Sequence, residues 1–403
     1  MTAGAAKPRI LVLTSTFPRW PDDTEPAFVY QLCGRLRDKY DVTVLAPHAP
    51  GAKRYEQMDG IAVYRFRYAP SALEYLAYEG GIPAKLKQSA ALWILVPVFL
   101  IAQLWATRCL IRSIRPDVVH AHWLIPQGLI AVLAKKLGRH KPRILVTAHG
   151  ADLFAFEGWL GRLLKRKALK GADHVTVVSK EMASRVRAME IPANAITIAP
   201  MGTDLLDAFV PSNSMTQTPT LVFAGRLAEK KGVADLLTAM PQVLLRIPET
   251  RLLIAGDGPL RQQLVTIAKQ LNIIASVDFL GRQTPADMPA IYRRARLAVL
   301  PFRIASDGDQ EGLGLVAVEA MGCGLPVIVG DVPAIHDVVT HSDTGWIVPP
   351  GAPDVLADAI VHLLQNRDLA SQIGNAARRH VIANFDWSVS AGRYNTILQR
   401  LCR

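Results

Sequence analysis

Cysteine is scarce in this 403-residue chain. Cys33, Cys109, Cys323 and Cys402 stand far apart with no paired spacing. That pattern suggests neither a disulfide framework nor a zinc site, and it fits a reducing compartment. Acidic residues are also short, 34 against 46 basic ones, which leaves a net charge of +12. Such an excess attracts polyanions: nucleic acid, acidic lipid or phosphorylated small molecules. The basic residues are dispersed apart from short clusters such as Arg162–Lys170. Neither zinc-finger spacing nor an aromatic–basic RNA-binding signature occurs, which sets nucleic acid aside. No G-x-G-x-x-G dinucleotide fingerprint is present. The first apolar stretch is only "ILVL", too short for the core of a signal peptide, so it reads as a first strand. With 20% charged residues the chain is not broadly disordered, and its length exceeds one ordinary core, so two domains are expected.

Long hydrophobic runs are rare too, with one exception. Ser89–Arg112, "SAALWILVPVFLIAQLWATRCLIR", is nearly all apolar over about 18 residues, the lower end of spanning length. Lys85, Lys87, Arg108, Arg112 and Arg115 flank it, and Pro97 and Gln103 interrupt it. One reading is a buried crossover helix between two strands. The other is a helix lying in a membrane interface, with Trp93 and Trp105 at headgroup depth. A true span would put strands of one sheet on opposite faces of a membrane.

Elsewhere short apolar runs alternate with amphipathic stretches, the pattern of parallel sheets with crossover helices. "RILVLTS", "DVTVLAP", "IAVYRFR", "DVVHAH", "RILVTAHG", "HVTVVS" and "AITIAP" are the first strand series. A polar Ser-, Thr- and Pro-containing stretch, Leu206–Thr220, reads as a linker. "TLVFAGR", "RLLIAGDG", "VDFLG", "LAVLPF", "PVIVGD" and "GWIVPP" form the second series. The fold class is α/β, with two doubly wound domains of similar size meeting near residue 210. Ligands of open α/β sheets bind beyond the carboxyl ends of the strands, so the residues just after strands are the candidates.

Four constellations occupy such positions. In "EGLGLVAVEAMGCGLPV", Glu311 precedes Gly312, Leu313, Gly314 and Leu315, and a helix starts near Gly314 or Leu315. Bare backbone and a helix N-terminus suit an anion. Glu319 lies about a turn and a half into that helix, and its side chain tilts back toward the loop. Two carboxylates there favour a polyol: Glu319 for ribose hydroxyls, Glu311 for a second sugar. The plainer alternative is an ion pair between Glu319 and an arginine. In "FAGRLAEKKG", Gly225, Arg226 and Lys231 precede a helix that starts near Gly232, a diphosphate clamp or else a solvated basic loop. "AGDGPLRQQL" with Gly258 reads as a tight turn on its own. In the first half, His120, His122 and His149 end two neighbouring strands. No carboxylate-rich or His-x3-His spacing supports a metal there.

Together, "GRLAEKKG", "IAGDGPLR" and "EGLGLVAVEAMGCGLPVI" resemble the C-terminal signature of retaining glycosyltransferases of family 4, and "VVHAHW" and "TAHGADL" match the family's N-terminal half. The resemblance implies a GT-B fold: two Rossmann-like domains, 1–207 and 208–385, facing across a cleft, with the helix of 386–403 returning to the first. It implies that Arg226 and Lys231 hold the donor diphosphate and Glu319 the ribose. Glu311 with the backbone at Gly312–Leu315 would hold the donor sugar. His149 would contact that sugar near the reaction centre, with His122 beside it, and Gly225, Gly258 and Arg282 would line the nucleotide side. It implies no cofactor or catalytic metal, a UDP- or GDP-sugar donor, and a glycan or lipid-linked acceptor, as in surface-polysaccharide assembly. The expected location is cytoplasmic, peripheral on the membrane through 89–112. The chain departs from the family after its first strand. Many members carry a Gly-Gly loop there, but no glycine lies between Thr14 and Val29. A nucleotide-sugar epimerase and a non-catalytic nucleotide-sugar-binding protein are the competing readings.

Overall fold

The computed structural model describes residues 6–403 apart from 21–22, 79–80, 83–84, 87–88, 156–157 and 213–217. Most of the expected linker's polar centre therefore lies outside the described residues, as does Lys87. The chain divides into two compact units. Met1–Met201 with Ser390–Arg403 forms one, and Gly202–Val389 the other.

The first unit is built on eight strands: β1 Arg9–Leu13, β2 Asp41–Pro47, β3 Tyr55–Met58, β4 Ile61–Phe66, β5 Val118–His122, β6 Arg143–Ala148, β7 His174–Val177 and β8 Ile196–Ile198. Their order is β3-β4-β2-β1-β5-β6-β7-β8, and all pairs are parallel except β3 with β4. The central strands bury every residue or nearly so, because helices cover both faces; hence their continuous apolar sequences. Its helices are α1 Phe28–Leu36, α2 Leu95–Ile114, α3 Leu129–Leu137, α4 Ala151–Phe154, α5 Trp159–Gly171 and α6 Lys180–Ala188. β3 escapes the sequence reading because "YEQM" has no apolar alternation, and its side chains stay largely out of the core.

Helix α2 bears on the two readings left open for residues 89–112. It does cross between β4 and β5, but it is not buried. Only 22% of its most apolar 18-residue window lies inside the protein.

Among its described residues the second unit has six parallel strands: β9 Thr220–Ala224, β10 Arg251–Ala255, β11 Val277–Gly281, β12 Leu297–Leu300, β13 Val327–Gly330 and β14 Trp346–Val348. The order β11-β10-β9-β12-β13-β14 reverses direction between β9 and β12. A doubly wound sheet offers its ligand crevice at that reversal. Helices α7 Val233–Arg246, α8 Arg261–Gln270, α9 Met288–Arg293, α10 Leu315–Gly322, α11 Pro353–Gln365 and α12 Arg367–Phe385 surround it, and α13 Trp387–Leu401 ends the chain.

Candidate active site

In the second unit the loops after β9 and β12 meet at the reversal point, and their backbones are laced together. The Arg303 amide donates to the Lys230 carbonyl at 3.0 Å. Lys230 Nζ donates to Asp309 Oδ1 at 3.0 Å and to the Gln310 carbonyl at 3.2 Å. Gly232, with φ +66°, opens α7; a Cβ there would lie 1.8 Å from the Pro301 carbonyl oxygen. Only glycine fits so close an approach.

This lacing carries Lys231 to Glu311. Lys231 is 8% exposed, and its Nζ donates to Glu311 Oε2 at 2.6 Å while lying 4.9 Å from the centre of the Phe302 ring. Burial works against the Glu311 carboxylate, but Lys231 and Lys230 outweigh it and hold its pKa below the usual range. The residues read as a diphosphate cation and a sugar-gripping acid thus form one ion pair. Gly225 lies next to it: a Cβ there would sit 3.5 Å from Lys231 Cε. The half-buried Arg226 follows on the same loop.

Beyond Glu311, Gly314 caps α10 at φ +89° and ψ +51°, a left-handed conformation natural to glycine. Gly312 and Leu313 are buried beside it, and α10 begins at Leu315. One and a half turns on, half-buried Glu319 accepts from the Tyr292 hydroxyl at 2.9 Å. Its partner is a phenol on α9, not an arginine. Burial pushes its carboxyl up to about 7, against the pull of Tyr292 and Lys231. A half-buried carboxyl whose side-chain partner among the described residues is a neutral phenol keeps lone pairs for hydroxyl donors.

Gly258 belongs to a turn pressed onto the β9 loop: the Leu227 amide donates to the Asp257 carbonyl at 2.9 Å, and a Gly258 Cβ would lie 2.5 Å from the Leu227 oxygen. Arg282, just past β11 on the outer side of β10, is exposed. Among the described residues it makes no hydrogen bond or ion pair with the other expected residues of this unit.

In the first unit, β5 and β6 put His122 and His149 side by side. His149 Nε2 is 2.9 Å from His122 Nδ1, and their rings stack with centroids 5.2 Å apart. His120 Nε2 meets Thr147 Oγ1 at 2.8 Å. The imidazoles thus use ring nitrogens on each other and on Thr147. Burial holds His120 and His149 down near pKa 3, and His122 well below its ordinary value, so all three are neutral at physiological pH. Buried Asp152 fixes the loops. Its carboxylate accepts from the amides of Leu124 at 2.8 Å, His149 at 3.0 Å and Gly150 at 3.1 Å. Trp123 packs 4.9 Å from the His149 ring and adopts φ +77°, an outlier for a bulky residue.

Residues 207–380 match the family described as glycosyl transferases group 1, and residues 26–202 match the glycosyl transferase 4-like domain. Over 307 residues the chain is 31% identical to the GDP-mannose-dependent monoacylated alpha-(1-6)-phosphatidylinositol monomannoside mannosyltransferase of Corynebacterium glutamicum, covering 72% of this chain and 78% of the relative. The chain is a group 1 glycosyltransferase of family 4.

The transferase is also 28% identical over 411 residues to the GDP-mannose-dependent alpha-(1-6)-phosphatidylinositol monomannoside mannosyltransferase of Mycobacterium tuberculosis, across 97% of this chain and 98% of that one. Its fold is GT-B. The sucrose-phosphate synthase of Thermosynechococcus elongatus superposes with a TM-score of 0.80 at 23% identity, over 98% of this chain and 99% of that one. Three side chains had no role in the sequence reading: Tyr292 and Phe302 beside the expected residues of the second unit, and Trp123 beside the histidines of the first. Tyr292 lies in "MPAIYRR", where an aromatic on a short helix looks like ordinary core. Phe302 closes "LAVLPF", where it reads as strand. Trp123 follows "HAH", and nothing in the letters announces a positive φ.

Proposed function

We propose that the transferase moves a sugar, with retention, from a nucleotide-diphosphate sugar to a hydroxyl of a glycolipid or glycan. The Lys231–Glu311 pair, set at the sheet's reversal point beside a glycine-capped helix, carries this reading. That pair is neutral overall. The charge that develops on the departing diphosphate therefore falls to Arg226 and the backbone amides at the start of α10, with Lys231 held ready at a fixed place. Glu311 and those amides grip the donor sugar, and Glu319 accepts from the ribose hydroxyls. Gly225 and Gly258 keep the wall beside the nucleotide low, and Arg282 borders the base. His149, oriented by His122, is assigned to the donor sugar as a neutral hydrogen-bonding group.

As the sugar C1–O bond breaks, its electron pair stays on the diphosphate oxygen. The acceptor oxygen bonds to C1 from the same face, and its proton passes to that phosphate oxygen. No cofactor is given a step. The relatives named above make GDP-mannose the first donor to assay, with UDP-sugars as the alternative. A glycolipid acceptor also fits a cytoplasmic enzyme peripheral on the membrane through residues 89–112.

The test is transfer from labelled GDP-mannose and UDP-glucose to a bacterial lipid extract. Arg226→Ala should lower turnover at least ~100-fold with little change in melting temperature, the scale of losing one preorganised donor. Wild-type turnover in that variant would overturn the reading.

A further inference from the structure

Helix α2 is built inside out. Its sheet-facing side buries Phe99, Gln103, Thr107, Leu110 and Ile111. Among the described residues, neither the Gln103 amide nor the Thr107 hydroxyl finds a hydrogen-bond partner. The outward side repeats Ile94, Val98, Ile101 and Trp105 at helical spacing, and Ile94, Ile101 and Trp105 are 78%, 68% and 70% exposed. A helix facing water has the reverse arrangement.

The neighbouring helices extend this surface. α2 packs beside α3, and α3 beside α5, in one layer on the sheet. α3 exposes Leu133 and Leu137; α5 exposes Trp159, at 77%, with Leu160 and Leu163. Trp93 and Trp159 stand where a crossover helix begins. That is the carboxyl end of the strands, the end that also carries His122 and His149. An apolar patch of this extent marks an interaction site.

Charge selects the occupant. The three helices contain nine lysines and arginines and no aspartate or glutamate, and of the nine only Lys165 is fully buried. Asp173 and Glu190, from outside the helices, pair with Lys135, Arg166 and Lys170 and offset part of this. A twofold contact with a second copy would set like charges against each other. An anionic lipid surface does the opposite.

We infer that α2, α3 and α5 form one docking face that lies in the interface of an anionic bilayer, with Trp93, Trp105 and Trp159 at headgroup depth. The inference rests on the membrane contact proposed above for residues 89–112 and adds two helices to it. The face lies on the membrane without spanning it, since α2 also packs on β1, β2 and β4.

The experiment is co-sedimentation of the full-length chain with vesicles of phosphatidylcholine alone, or with phosphatidylglycerol in equal parts. Binding should be at least ~10-fold tighter to the anionic vesicles and weaken with salt. Trp93→Ala with Trp105→Ala should reduce it ~10-fold. Trp159→Ala with Leu163→Ala should reduce it at least ~3-fold, both without a change in melting temperature. If the α2 pair loses binding and the α5 pair does not, the three-helix face is wrong and the contact through 89–112 stands. If wild type ignores anionic vesicles, both fail. If it is instead a dimer in solution that either pair dissociates, the occupant is a second copy and the lipid face is overturned.

Discussion

Glu319 offers a measurable conflict between stability and function. It is half-buried, its one hydrogen-bonding side-chain partner among the described residues is the Tyr292 hydroxyl, and burial pushes its pKa from 4.5 to about 7. A displacement of that size corresponds to about 3 kcal/mol, at ~1.4 kcal/mol per tenfold. The sign follows from linkage. The folded chain binds this proton more tightly than the unfolded chain. Folding is therefore weakened as pH rises from about 4.5 to about 7, and by no more above that. Glu319→Gln cannot ionise but still accepts from Tyr292. It should match wild type near pH 4.5 and exceed it at pH 8 by ~1–3 kcal/mol, a gain of roughly 3–8 °C for a domain of this size. Circular-dichroism melts of both proteins at the two pH values measure the difference, in which other titrating groups cancel. Calorimetric titration with GDP and UDP supplies the second half. If Glu319 receives ribose hydroxyls, the stabilised variant should bind nucleotide at least ~10-fold more weakly, the scale of losing charge-assisted hydrogen bonds. An equal melting temperature at pH 8 would refute the desolvated carboxyl. A stabilised variant with undiminished nucleotide affinity would remove Glu319 from the donor site.

Glu311→Gln leaves Lys231 without its carboxylate in a nearly closed site and should cost ~2 kcal/mol. A nucleotide diphosphate should then raise the variant's melting temperature more than it raises wild type's, read by a thermal-shift titration. Asp152→Asn replaces an acceptor of three amides with a group that also donates, so the first unit should lose ~2 kcal/mol in a urea melt, and turnover should fall as His149 loses its support. Gly314→Ala meets φ +89° and Ile335 Cδ1 at 3.2 Å, for a cost of ~1–2 kcal/mol and weaker donor binding by calorimetry. The imidazoles give a pH slope opposite to that of Glu319. Their folded pKa values lie below 6.5, so their contribution is complete above about 6.5 and lost as pH falls toward 3. Hydrogen exchange at pH 5 should show the first unit opening more readily than at pH 8.

How much of this was legible depends on what each feature needs. The parallel strands were readable because burial on both faces writes an uninterrupted apolar run, as in "TLVFA" and "RILVT". The start of α10 was readable because Gly314 sits where the backbone turns left-handed. The choice between a buried and an outward-facing α2 was not. An apolar run looks the same whether it faces a sheet or an aqueous boundary, and the misplaced polar residues, Gln103 and Thr107, declare themselves only when the inward side is known. Tyr292 was out of reach for another reason: its hydroxyl meets Glu319 because the fold brings this tyrosine of α9 to α10, a relation between residues 27 positions apart.

The pairing of Lys231 with Glu311 is the strongest case, because the letters pointed to two separate tasks. Eighty positions separate them, and each was assigned by its own loop. Their contact follows from the reversal of strand order between β9 and β12, which brings the two loops together, and from the absence of side chains at Gly225, Gly232 and Gly314, which lets backbone and lysine tip approach. The consequence is electrostatic. A lysine bound to a carboxylate adds little net charge, so Lys231 stands in the resting state as half of a dipole and not as a bare cation. That arrangement tolerates an empty site at neutral pH better than two bare cations would. In the proposed roles, an incoming diphosphate would compete with Glu311 for Lys231, and a donor sugar that engaged Glu311 would release the lysine toward the phosphate. Sugar and diphosphate should therefore bind cooperatively. The intact nucleotide sugar should gain affinity over its nucleoside diphosphate in wild type, and that gain should shrink in Glu311→Gln.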